Sequence, residues 1–171
     1  KEIKKIKSKS LVYAPSCTMR YYQMPVAIKI SPDNKLDQLR KIFNLCLKYN
    51  IQAIISSNTS IKSNLLYNNI SQPKGGVSGK ALFTYSNKTL AQLQKISKGR
   101  IQIIGSGGIH DIKSLIKKFE LGADVVQLYS SLVFYGPSLI ENFISGLDNH
   151  IKKVKIPNIS YLKKLSYEKK K

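Results

Sequence analysis

Acidic side chains are scarce in this chain. Nine Asp and Glu face 29 Lys and Arg, a formal charge of +20. Such an imbalance raises nucleic acid or an anionic membrane surface as a partner. The lysines, however, are spread along the whole chain beside heavy use of Ile and Asn, as in an AT-biased coding background. No nucleic-acid motif accompanies them, so a specific nucleic-acid function is not expected. Cys17 and Cys46 are the only cysteines. They are too few and too far apart for a disulfide framework or a metal site, and they fit a reducing compartment. The two histidines, His110 and His150, form no ligand pair, so no metal is expected. His110 stands beside a glycine turn and reads as a solvent-facing loop residue before it reads as a ligand contact. No apolar run is long enough to cross a bilayer, and no signal-peptide pattern is present. The chain opens at Lys1 rather than Met, and it is expected to be a piece of a longer protein.

What is present centres on residues 101–131, IQIIGSGGIHDIKSLIKKFELGADVVQLYSS. Ile101–Ile104 and Val125–Leu128 are short, rich in β-branched residues and bounded by glycine or polar residues, as buried parallel strands are. Ile112, Leu115, Ile116 and Phe119 recur between them at helical spacing, giving strand–helix–strand. Each strand ends in small or polar residues, Gly105-Ser106-Gly107-Gly108 and Tyr129-Ser130-Ser131. Each of these turns feeds a helix start, where free N–H groups favour an anion. The loops after the last two strands of a TIM barrel commonly hold phosphate. A phosphate-bearing cofactor is therefore expected here.

Upstream, Val26–Ile30 reads as a buried strand closed by Ser31-Pro32-Asp33. Lys29 is anomalous within it, because buried lysines are rare unless they have a function or a partner. Its alternative is an outward-facing pleat. Leu36, Leu39, Ile42, Phe43, Cys46 and Leu47 mark an amphipathic helix. Ile51–Ser56 is the next strand, and it ends in Ser57-Asn58-Thr59-Ser60, where barrel enzymes keep their sites. Residues 62–74 are a polar connection long enough to be a lid, closing on the glycine cluster Gly75–Gly79. Leu90, Leu93 and Ile96 mark another helix. After Pro137, Leu139, Ile140, Phe143, Ile144 and Leu147 are expected to form one buried helical face. The organisation expected is the end of a preceding helix and a linker over 1–24, a folded unit over 25–150 and a basic, disordered tail over 151–171. Four βα units make an α/β fold equal to the last four units of a TIM (β/α)8 barrel. Standing alone, such a half leaves two open edges and an uncovered inner face.

PVAIKISPD, the SNTS strand end, GGVSGKAL, IQIIGSGGI and LGADVVQLYSSLVFYGP together resemble the dihydroorotate dehydrogenases, over roughly Pro25 to Leu147. GGVSG and QLYSSLVFYGP are most similar to class 2, the quinone-linked branch. The resemblance implies an FMN-containing barrel that oxidises dihydroorotate to orotate in pyrimidine (UMP) biosynthesis. It implies that Lys29 lies beside the flavin ring, that Ser57, Gly79 and Gly108 contact FMN, and that Gly108, Tyr129 and Ser130 bind its phosphate through main-chain N–H groups. Asn58 and Thr59 are implied to bind the orotate ring. The family's catalytic base, a serine in class 2, lies in the first half of its barrel, so no base is expected in this chain, and the chain alone is expected to be inactive. A class 2 enzyme would sit peripherally on the cytoplasmic side of the cell membrane, attached through an N-terminal extension; otherwise the expectation is cytoplasmic. The rivals are a class 1 dihydroorotate dehydrogenase, another FMN- or phosphate-binding barrel, and a non-catalytic basic module for nucleic acid or membrane surfaces.

Overall fold

The computed structural model describes residues 25–62 and 75–163. Four strands, β1 (Ala27–Ile30), β2 (Ala53–Ser56), β3 (Gln102–Ser106) and β4 (Val125–Gln127), form one sheet in sequence order. Every neighbouring pair is parallel, and Lys29, Ile55, Ile104 and Val125 stand in one row across the sheet. Helices α1 (Leu36–Lys48), α2 (Phe83–Ser97) and α3 (Ile112–Glu120) fill the crossovers. A 3-10 turn, Gly79–Leu82, leads into α2, while α4 (Ser130–Tyr135) and α5 (Ser138–Val154) follow β4. Sequential parallel βα units of this kind are a partial TIM barrel, as the sequence suggests.

Strand alternation sorts the side chains onto two faces. Ile30, Ile54 and Ile103 pack with Leu39, Phe43, Cys46, Leu90 and Leu93 in the main core between sheet and helices. Burial there raises the pKa of the Cys46 thiol. Phe43 is 1% exposed and carries the Arg100 guanidinium 4.8 Å from its ring centroid. Phe43→Ala is expected to destabilise the fold by about 3–5 kcal/mol, read as a lower urea midpoint at unchanged m-value.

The other face is open. Val125 is 53% exposed, and Lys29 and Gln127 are exposed beside it. The strand around Val125 is thus covered on one side only, which corrects the reading of it as fully buried. An open groove also runs between α3 and α5. Leu139 and Phe143 are buried, whereas Ile140 and Ile144 are exposed and line that groove at the free edge of β4, contrary to the single buried face expected of α5.

The tail also differs from expectation. α5 runs to Val154, and Leu162 is buried in a second core with Ile109, Leu115, Phe119, Leu139 and Phe143. Lys163 donates to Asp124 at 2.7 Å, and the other Asp124 carboxylate oxygen accepts the Ile103 N–H at 2.8 Å. Ile156, Ile159 and Leu162 form an apolar stripe at spacing three, flanked by lysines, and its burial orders a segment that composition alone marks as solvated. The expected segment 1–24, the candidate lid over 63–74 and residues 164–171 lie outside the described residues.

Candidate functional site

Because the strands are parallel, their carboxyl ends and the loops that follow them gather on one side of the sheet. After β2, the Asn58 N–H donates to the Ile30 carbonyl at 2.8 Å and the Ser57 N–H to the Ser106 carbonyl at 3.2 Å. Asp33, in the loop after β1, clamps this turn from outside: one oxygen accepts from Ser60 Oγ at 2.7 Å and the other from the Ile61 N–H at 3.0 Å. Ser60 and Val77 exchange backbone hydrogen bonds at 3.1 and 2.7 Å, which lays the glycine cluster against the same loop. Ser130 Oγ donates to Ser78 Oγ at 3.2 Å, joining the start of the 3-10 turn to the start of α4.

These ties enclose a cavity of 270 Å³. Lys29, Ser57, Asn58 and Thr59, from β1 and the loop after β2, line it. Gly79, Gly108, Tyr129 and Ser130 line it too. The eight residues that the resemblance implies for cofactor and substrate therefore meet at one place. No carboxylate lines the cavity among the described residues, so its lining offers an ammonium, hydroxyls, amides and backbone, a set suited to an anionic, hydrogen-bonding ligand. Ser57 is 2% exposed, and its Oγ has no partner among the described residues. A buried hydroxyl left this way points to a ligand atom that completes it. Gly108 has φ +77°, and a Cβ there would stand 2.3 Å from Phe83 Cα, so the turn needs glycine for both conformation and space.

Lys29 reaches across the open face from β1 and donates to Gln127 Oε1 on β4 at 3.2 Å. This is the inner, concave side, not the helix side. Gln127 escaped the sequence reading, although a polar residue breaking the apolar run VVQLY carries the same signal as Lys29 in VAIKI. His110 is not a free loop residue: its Nδ1 lies 2.7 Å from the Gly108 carbonyl and its ring meets Phe83 edge-on at 5.8 Å. It is absent from the cavity lining and acts as a brace for the glycine turn. Among the described residues no cluster of His, Cys, Asp or Glu could hold a metal, and no helix is long and apolar enough to cross a membrane.

The family model described as dihydroorotate dehydrogenase matches residues 1–151. This chain belongs to the dihydroorotate dehydrogenase family. Over 122 residues it is 43% identical to the dihydroorotate dehydrogenase (quinone) of Hamiltonella defensa, covering 71% of this chain and 36% of that protein. The dihydroorotate dehydrogenase (quinone) of Wigglesworthia glossinidia brevipalpis is 40% identical over 126 residues, covering 72% and 37%. Among solved structures, dihydroorotate dehydrogenase from Eimeria tenella in complex with ferulenol superposes with a TM-score of 0.76 at 27% identity, covering 84% of this chain and 38% of that one. The ligand-free form gives 0.75 at 27% identity, covering 85% and 40%. The chain thus spans little more than a third of the length of these dihydroorotate dehydrogenases, a family that is generally flavin-dependent.

Proposed function

We propose that these residues form the cofactor-holding part of a quinone-linked dihydroorotate dehydrogenase, binding FMN and orienting dihydroorotate for its oxidation to orotate. The observation that carries the reading is the convergence of Lys29, Ser57, Asn58, Thr59, Gly79, Gly108, Tyr129 and Ser130 on one cavity without a carboxylate. The Gly108, Tyr129 and Ser130 N–H groups are assigned to the phosphate, and the Ser57 hydroxyl and the Gly79 backbone to the rest of the cofactor. When bound, FMN supplies the two-electron acceptor. Lys29 places positive charge where negative charge grows during transfer. Asn58 and Thr59 hold the substrate ring by hydrogen bonds and fix its orientation. The base that takes the substrate's C5 proton is assigned to a part of the enzyme outside these residues, as is the segment that meets the membrane and its quinone, on the cytoplasmic side.

Anaerobic addition of dihydroorotate to the FMN-loaded whole enzyme tests this. The flavin absorbance is expected to bleach and to return on adding a short-chain quinone. Return with fumarate alone would assign the enzyme to class 1. A protein that takes up no FMN, or a bound flavin that dihydroorotate leaves oxidised, would remove the proposal.

A further inference from the structure

Among the described residues, Lys118 is the largest polar side chain in the interior. It lies on α3, on the same helical face as Leu115 and Phe119, and is 0% exposed. Its Nζ donates to Ser86 Oγ at 2.7 Å and to the Ser106 carbonyl at 3.2 Å, and it stands 5.8 Å from the centre of the Phe83 ring. Among the described residues no carboxylate pairs with it; the ion pairs are His110–Asp111, Lys117–Glu120, Lys152–Asp148 and Lys163–Asp124. Burial alone draws its pKa down from the usual 10.5 to about 7. An unpaired buried ammonium costs several kcal/mol, and a methionine would fill similar space without that cost. Packing therefore does not explain a lysine here.

Its hydrogen bonds do. In its protonated form Lys118 has three donors and no acceptor, so Ser86 then turns a lone pair to it and keeps its own proton for a carbonyl. The Gly107 carbonyl accepts from Ser86 Oγ at 2.8 Å, with the Phe83 carbonyl an alternative at 3.0 Å. In a trans peptide the N–H lies opposite the preceding carbonyl. Holding the Gly107 carbonyl toward Ser86 on α2 therefore turns the Gly108 N–H away from the helix layer. The cavity lies on that side, lined by Ser106, Gly107, Gly108 and Ile109.

We propose that Lys118 is a positioning residue for the glycine turn: from behind, directly at Ser106 and through Ser86 at Gly107, its protonated form aims the Gly108 N–H into the cavity and favours an anion there. This rests on the reading of the cavity as an FMN site, with the phosphate as that anion.

The test compares FMN with riboflavin, which has the same ring system and no phosphate, by flavin-fluorescence titration of the intact protein. Lys118→Met is expected to weaken FMN roughly 10-fold to 100-fold, the range for losing a hydrogen bond to a charged group. Riboflavin affinity is expected to change less than about threefold, and the thermal midpoint to rise because the unpaired charge is gone. Ser86→Ala keeps the charge and removes the relay, and it is expected to weaken FMN selectively by a smaller factor, roughly 3-fold to 10-fold. Equal weakening of both flavins, or unchanged FMN affinity in both variants, overturns the positioning role while leaving the FMN reading intact. If Lys118→Met does not fold, the Ser86→Ala ratio decides alone. Wild-type protein that binds neither flavin overturns the FMN reading itself.

Discussion

Lys29→Ala is expected to slow flavin reduction by dihydroorotate roughly 10²–10³-fold, the loss seen when a preorganised charge or donor is withdrawn from a developing anion. Stopped-flow bleaching of the FMN-loaded whole enzyme reads it directly. Stability should move by no more than about 0.5 kcal/mol, because the side chain is exposed on the concave face. Its hydrogen bond to Gln127, at 3.2 Å, is itself exposed. The separation is the informative part: a large kinetic loss in a protein with an unchanged urea midpoint assigns Lys29 to the reaction. Unchanged reduction kinetics would put the ammonium outside it.

Gly108→Ala should act on the fold and the cofactor together. At φ +77° an L-residue costs about 1–2 kcal/mol, and the new Cβ would also strike the Phe83 backbone, 2.3 Å from Cα and 2.6 Å from N. A backbone neighbour cannot swing aside, so overpacking adds about 1–3 kcal/mol. The total is about 2–5 kcal/mol of lost stability, with FMN affinity falling as the turn is displaced. Gly99→Ala is the control: φ is +81°, and nothing lies within 4 Å of its Cβ, so only the conformational cost of about 1–2 kcal/mol applies. Equal losses in the two variants would show that the Phe83 collision does not matter.

Much of this arrangement is legible before any coordinates. Runs such as VAIKI, AIIS, IQII and DVVQL mark strands because buried parallel strands tolerate little but β-branched and aliphatic residues, with polar residues gathering at their carboxyl ends. Parallel order then forces those ends together, which is why Lys29, Ser57, Asn58, Thr59, Gly79, Gly108, Tyr129 and Ser130 meet although up to a hundred residues separate them. What stayed hidden has physical causes. Lys118 sits at i+3 from Leu115 on the apolar face of α3, but in a chain this rich in lysine one more basic residue carries little signal. Asp33 and Ser86 work by gripping backbone, and backbone partners leave no trace in spacing. Ile140 and Ile144 follow the helical pattern faithfully, yet a pattern names the face that is apolar and not whether anything covers it. The stripe Ile156, Ile159 and Leu162 is masked by the lysines that flank it on both sides.

The most direct measurement is a crystal structure of the protein with FMN. The phosphate is expected within hydrogen-bonding reach of the Gly108, Tyr129 and Ser130 N–H groups, with the flavin ring beside Lys29 in the same cavity. Phosphate density anywhere else, or a ring seated on the outer helices away from Lys29, would contradict it.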